Sequence, residues 1–214
     1  MSNDLRIGLL VHAIHLPKER LRLKASFDEL PARLRTRVEL CILTEDDYDD
    51  NPAQFNVAAA KNVGLRKLLP RCDGVLCVDA DYLIPPGLLE LCLEPSMQAF
   101  HLWVRRRDIT EAEAPKRAWA DWLNLPVFQD CWGSANYLSS DNWRKIGGWD
   151  ERTYGWGGDD DILHIRIGQA GIERRRIDAI PLVHVGHALR EWSGVNARGK
   201  ENLKWASVPQ PNYL

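Results

Sequence analysis

The sequence predicts an α/β fold, a mixed but mainly parallel sheet flanked by helices, on three observations. Short, continuously apolar segments recur through the first half, as strands buried on both faces do. Stretches of helical periodicity separate them. An acidic pair, Asp79 and Asp81, leaves the third apolar segment, at the strand end where open α/β sheets collect ligands.

Taken in order, residues 5–13 read as a buried strand. Residues 18–34 follow with Leu21, Leu23, Phe27, Leu30 and Leu34 at helical spacing, and Pro31 is placed to break or shorten that helix. Residues 37–44 alternate Val38, Leu40 and Ile42 with polar neighbours, then run into the acidic loop Glu45-Asp46-Asp47-Tyr48-Asp49-Asp50. Residues 55–69 carry Ala58, Ala59, Val63 and Leu68 on a helix, and residues 74–78 form the strand that delivers Asp79-Ala80-Asp81. Pro85-Pro86-Gly87 turns the chain before a helix over 88–93. In the second half, residues 162–170 read as a helix ended by Gly171. Residues 177–185, after Arg174-Arg175-Arg176, read as a strand ending in His184-Val185-Gly186-His187.

At 214 residues the chain fits one domain, residues 1–214, whose first half, 1–100, has the strand–helix rhythm of a nucleotide-binding unit. Its 45% hydrophobic and 27% charged residues are ordinary globular composition. Lys+Arg number 28 against 30 Asp+Glu, a net charge of -2, so no global positive field recruits nucleic acid or an anionic membrane. The apolar run over residues 7–16 contains His12 and His15 and falls well short of the ~20 residues of a spanning helix. Met1-Ser2-Asn3-Asp4 lacks a basic signal region, so a cytoplasmic location is expected. The 5 cysteines are odd in number and sit mostly in apolar segments, which predicts reduced, buried thiols. All 9 tryptophans fall after residue 100, and that asymmetry divides the chain by role: the second half offers flat surfaces able to stack on sugar rings, or large side chains to fill a core.

Residues i and i+2 of an extended segment share a face, so Asp79 and Asp81 present two carboxylates to one ligand or to a hard divalent ion, unless they are merely a solvated turn. Gly155-Trp156-Gly157-Gly158 runs straight into Asp159-Asp160-Asp161. A helix amino terminus favours negative charge, and N-capping accounts for one of the three acids. It does not account for three, nor for the glycines around Trp156, which suit a lid over a substrate. His184 and His187 are three residues apart, and either completes a metal site with Asp81 unless it is simply a hydrogen-bonded core histidine.

Together these segments resemble the metal-dependent nucleotide-sugar glycosyltransferases of the GT-A fold. The nearest members are galactosyltransferases acting on N-acetylglucosamine, with bacterial polysaccharide synthases and polypeptide N-acetylgalactosaminyltransferases that share the carboxyl-terminal motif. The matching blocks are Phe55-Asn56-Val57-Ala58 with Asn62-Val63-Gly64; Val78-Asp79-Ala80-Asp81 with Pro85; Gly147-Gly148-Trp149-Asp150-Glu151 with Gly155-Trp156-Gly157-Gly158-Asp159-Asp160; and Val185-Gly186-His187. The resemblance implies that Asp81 binds the metal, that Asp79 touches the nucleotide ribose or the metal shell, and that His187 is the further ligand. It prefers His187 to His184 because Val-Gly-His is followed by Arg190. It places Asp46, Asn56, Asp79, Trp156, Gly157 and Gly158 at the donor, Asp159 at the acceptor sugar and Asp160 as the base.

The implied reaction moves a hexose or N-acetylhexosamine from a UDP donor to an acceptor hydroxyl with inversion. Manganese, or magnesium, is the implied cofactor, and manganese suits a mixed carboxylate and imidazole site. Two departures from the family pattern stand out. Val57 replaces the usual Arg, a nucleotide contact that Lys61 is placed to supply, and Asp159 replaces the usual Glu. The rival readings are a retaining transferase of the same fold, a metal-dependent nucleotidyltransferase or nucleotide-sugar hydrolase, and a non-catalytic carbohydrate-binding protein. Acceptor recognition is expected in loops over 105–132 and 192–214, and the runs Arg105-Arg106-Arg107 and Arg174-Arg175-Arg176 are expected as solvated charge.

Overall fold

The computed structural model describes residues 4–14, 16–47, 56–110, 112–113, 124–126, 135–155, 157–186 and 199–214. The strands are Ile7–His12 (β1), Val38–Leu43 (β2), Gly74–Asp79 (β3), Tyr82–Leu83 (β4), Phe100–Thr110 (β5), Ala135–Ser139 (β6) and Glu173–Gly186 (β7). They form one seven-stranded sheet in the order β2-β1-β3-β6-β5-β7-β4. The pairs β1–β2, β1–β3 and β5–β7 are parallel, and β3–β6, β5–β6 and β4–β7 antiparallel. Most paired residues are therefore in parallel register, in a mixed sheet that draws strands from both halves of the chain.

Helices cover both faces, and the pleat of β1 sorts them. Ile7, Leu9 and Val11 point to a core shared with Leu23 of Pro17–Asp28 (α1), Leu34 of Ala32–Arg35 (α2) and Leu88, Leu89 and Cys92 of Pro86–Cys92 (α4). Leu10 points the other way, into a core shared with Ala58, Leu65 and Leu68 of Val57–Leu68 (α3), Trp143 and Ile146 of Ser140–Ile146 (α5), and Leu163 and Ile167 of Asp159–Gln169 (α6). At Gly64 a Cβ would stand 2.1 Å from Leu10 Cδ1, so α3 lies on β1 at a distance only glycine permits. A short helix, Gly199–Asn202 (α7), and a 3-10 turn, Leu203–Ser207, complete the described chain.

The helix expected over 18–34 is two: α1 stops at Asp28, and Pro31 caps α2. α6 starts earlier than expected, at Asp159, because Gly158 takes the N-cap position with φ +85°. All three acids thus lie inside its first turn and none of them is the cap. The two basic runs belong to β5 and β7 rather than to loops. They are only partly solvated: Arg175 Cζ stacks 3.6 Å from the centre of the Phe100 ring, and Arg174 donates to the His164 carbonyl at 2.8 Å. β6 and α5 carry no sequence signal that set them apart; Ser139 caps α5 through the Asn142 amide, and Trp143 anchors it by donating to the Val75 carbonyl at 3.0 Å.

Trp103, Trp143 and Trp149 are buried, so these three are core side chains and not sugar platforms. Cys72, Cys77 and Cys92 are buried free thiols and Cys41 is half-buried, while Cys131 lies outside the described residues. Among the described residues no helix is long and apolar enough to cross a membrane.

Candidate active site

Parallel register brings the ends of β1 and β3 level, with His12 opposite Asp79. Beyond β3 the chain turns through Asp81, whose carbonyl accepts from the Val185 amide at 2.9 Å, and then pairs Tyr82 with His184. That pairing sets His184 Nε2 3.3 Å from Asp81 Oδ2. The ring's other face of bonding, Nδ1, lies 3.0 Å from Asp108 Oδ1 and 2.8 Å from Arg106 Nη2. Of the two histidines singled out from sequence, His184 is thus brought to Asp81; His187, the ligand implied by resemblance, lies outside the described residues, as does Trp156.

The second part of the site comes from α3. Lys61 is buried, with Nζ 3.5 Å from Asp79 Oδ1 and 4.3 Å from the centre of the Trp149 ring. Burial alone would favour the neutral amine. Asp79, Asp160 and Asp159 together more than reverse this and hold Lys61 as an ammonium ion. Nothing in the helical periodicity of α3 distinguishes Lys61 from an ordinary surface lysine, which is why its central place is visible only in the structure.

The third part is the amino terminus of α6. Asp159 and Asp160 are half-buried and Asp161 is exposed. One oxygen of Asp160, Oδ1, is fully buried and meets no hydrogen-bond partner among the described residues. Burial first, then the charge of Asp159, pushes the Asp160 carboxyl well above the ordinary carboxylate range, with Lys61 opposing. Asp79 is pushed up to about 6, by burial and by Asp81 and Asp159, again with Lys61 opposing. The cluster is therefore crowded with negative charge that a single ammonium offsets only in part, a setting that suits a cation. Asp79 and Asp81 supply hard oxygens and His184 an imidazole nitrogen, a donor set that fits manganese or magnesium. Among the described residues no three His, Cys, Asp or Glu side chains surround a single point.

The other predicted positions make local bonds of their own. Asp46 is exposed in the turn after β2, and its neighbour Asp47 is the one that binds, accepting from the Thr44 amide at 3.0 Å and pairing with Lys67. Asn56 caps α3 by accepting from the Ala59 amide at 2.9 Å, and its amide donates to the Glu151 carbonyl at 2.8 Å. Gly157 and Gly158 both have positive φ and lie against Gly199: a Cβ on Gly158 would stand 2.8 Å from the Gly199 carbonyl oxygen. These glycines serve close backbone approach.

A buried scaffold stands behind the acids. Asn62 donates to the Trp149 carbonyl and accepts from the Trp149 amide, each at 2.9 Å. Asp150 lies between Arg152 and Arg166, at 2.6 and 3.3 Å.

Residues 126–188, which hold Asp150, Asp159, Asp160 and His184, match the family model described as the N-terminal domain of galactosyltransferase. The structure is similar to the catalytic domain of Drosophila beta1,4-galactosyltransferase 7 in complex with xylobiose, with a TM-score of 0.70 at 18% identity over 96% of this chain and 82% of that one. The chain has the GT-A glycosyltransferase fold. A mutant of the Drosophila enzyme in complex with manganese, UDP-Gal and xylobiose matches with a TM-score of 0.58 at 18% identity, over 86% of this chain and 72% of that one. GalNAc-T7 with UDP, GalNAc and Mn2+ matches with a TM-score of 0.66 at 11% identity, over 96% of this chain and 48% of that one. No curated protein sequence matches the chain. Within the GT-A fold, the acid cluster lies at the carboxyl ends of the parallel strands, where ligands of open α/β sheets bind.

Proposed function

We propose that the chain is a metal-dependent glycosyltransferase that moves a hexose or N-acetylhexosamine from a UDP donor to an acceptor hydroxyl with inversion. The observation that carries this reading is Asp160: a carboxylate inside the galactosyltransferase-matched segment, with a buried oxygen that no described protein group satisfies, facing Lys61 and Asp79. A structural carboxylate is normally bonded on both oxygens, and one left unsatisfied at the mouth of strand ends is kept for a ligand. Residues 1–100 contribute the donor half through Asp79, Asp81 and Lys61, and residues 101–214 the acceptor half through Asp159 and Asp160.

Asp81 and Asp79, with an imidazole from the His184 to His187 segment, would hold the divalent ion, which when bound neutralises charge on the departing diphosphate. Asp159 orients the acceptor hydroxyl. Asp160 takes its proton as the oxygen attacks the anomeric carbon from the face opposite the leaving nucleoside diphosphate, and the opposite-face attack inverts that carbon. The raised proton affinity of Asp160 makes it a stronger base than an exposed carboxylate, and Lys61 opposes the rise. A hydroxyl on a glycan such as the xylobiose of the Drosophila complexes is the acceptor class this site suits.

A thermal-shift titration with UDP, GDP and CDP, each with and without manganese, on this protein and on Asp81→Ala tests the reading without a known acceptor. Stabilisation by UDP that needs both manganese and Asp81 is expected. No shift with any of the nucleotides would overturn the donor site. Product anomers read by NMR test inversion, and retention would remove Asp160 from the base role.

A further inference from the structure

The glycine segment that leads into Asp159 and Asp160 is held by one side chain from the far end of the chain. Asn202, 1% exposed at the end of α7, accepts from the Tyr154 amide at 3.3 Å and donates to the Tyr154 carbonyl at 3.0 Å and the Gly157 carbonyl at 2.8 Å. Both amide protons and the carbonyl oxygen of this side chain are spent on the same short loop. Its Cβ stands 3.0 Å from where a Cβ on Gly158 would be, so a side chain at that position would crowd Asn202.

The segment after Asn202 is tied to α6 and to the turn after α5 by separate bonds. Arg166 of α6 donates to the carbonyls of Trp205 and Val208 at 2.8 and 2.6 Å. Further along, Gln210 donates to the Ile146, Gly147 and Gly148 carbonyls at 3.2, 3.1 and 3.0 Å. The brace therefore has one anchor on the catalytic loop and another on the turn after α5.

We propose that Asn202 is the positioning residue for the catalytic loop: its three hydrogen bonds fix Tyr154 and Gly157 and so set where α6 begins and where Asp159 and Asp160 stand. This rests on the reading of Asp160 as the base. Buried amide side chains that satisfy opposed backbone groups hold a loop in a single register, because breaking any one bond strands a buried polar group. An acid displaced by even a fraction of an ångström loses alignment with the hydroxyl it must deprotonate.

The test compares Asn202→Ala with Gln210→Ala, which cuts the other anchor of the same brace. Hydrogen–deuterium exchange should speed up by about tenfold over residues 154–160 in Asn202→Ala. In Gln210→Ala the faster exchange should fall on residues 146–148 and leave 154–160 as in wild type. With manganese and UDP-galactose as the probe and water as the acceptor that takes the galactosyl group, UDP release by Asn202→Ala should lose about tenfold in kcat with KM changed by less than about threefold, while Gln210→Ala keeps both. Should Asn202→Ala not fold, Asn202→Asp keeps the volume and the bond from the Tyr154 amide, loses both donations, and should show the same exchange and kcat changes. Equal behaviour of the two anchor variants, or unchanged exchange over 154–160 in the Asn202 variants, overturns the proposal. If wild type does not release UDP from UDP-galactose, the loop exchange alone decides whether Asn202 positions the loop, and it is the transferase reading that fails.

Discussion

Two carboxylates flank the glycine loop, Asp150 before it and Asp160 after it, and the fold treats them in opposite ways. Asp150 is fully buried and saturated. Arg152 bonds both of its oxygens, at 2.8 and 2.6 Å, and Arg166 adds a third contact at 3.3 Å. Burial alone would raise its pKa, but the hydrogen bonds and charge of Arg152, with the charge of Arg166, more than reverse that and hold it below the ordinary range. Asp160 has a buried oxygen with no described partner, and its proton affinity is raised. The same residue type, ten positions apart, is a strut in one place and, in the function we propose, the base in the other. What separates them is whether the protein itself completes the carboxylate's bonding.

The largest expected effect lies on the open acid. Asp160→Asn should cut UDP release from UDP-galactose by about 100- to 10,000-fold while the manganese-dependent UDP thermal shift stays near wild type. A variant that turns over normally would break the comparison, because Asp160 would then be no more committed to chemistry than Asp150. Asp150→Ala should do the reverse and act on stability. Leaving the half-buried Arg152 and Arg166 without their acid costs about 1–3 kcal/mol, read as a fall in denaturation midpoint.

Acid titration sharpens the contrast. The raised Asp160 carboxyl penalises the folded state only when ionised, so Asp160→Asn should be more stable than wild type at neutral pH. That difference should shrink as the pH is lowered and the wild-type carboxyl takes up its proton. Asp150 has the opposite sign: its lowered pKa stabilises the fold above the unfolded value near 3.8 and is lost only as the pH falls below it. Thermal melts of the two variants against pH give both signs in one experiment. Lys61→Met, which leaves Asp79, Asp159 and Asp160 without their ammonium, should lower the melting temperature in chelator, and manganese should recover more of that loss than it adds to wild type.

The smallest effect belongs to a third kind of buried group. His101 and His164 meet edge to face with ring centres 4.7 Å apart, and His101 bonds Asn136 at 2.8 Å. Burial first lowers both, to about 4 and about 3. The pair stabilises the fold above the unfolded value near 6.5, and that contribution drains away as the pH falls toward the folded values. His164→Gln should flatten the slope of melting temperature between neutral pH and about pH 5.

Much of this was readable from residues alone, and the unread part has a common cause. Asp79 and Asp81 were legible because an extended strand of apolar residues ends in them. Asp159 to Asp161 were legible because three adjacent acids after glycines are hard to explain as solvent-facing turn residues. Lys61 stands out in the sequence only as a substitute nucleotide contact, not as the partner of Asp79. Asn202 and the clamp on Asp150 are not legible, because Asn202 acquires its role from partners 45 and 48 positions away and Arg166 joins the clamp from 16 away, which no local period reports. The contact of His184 with Asp81 depends on the short pairing of Tyr82 with His184, and a two-residue strand leaves too little pattern to be predicted. The helix over 18–34 was overextended for a simpler reason: apolar spacing continued past Asp28 while Pro31 redirected the backbone.

The long-range anchoring of the brace also fixes an order of assembly. Arg66 donates to the Tyr213 carbonyl across 147 positions of sequence, and Gln210 closes on Gly148 across 62. Contacts of such separation form late, because the chain entropy of closing the loop must be met before they contribute. The loop before α6 reaches its final geometry only when Asn202 has docked on Tyr154 and Gly157.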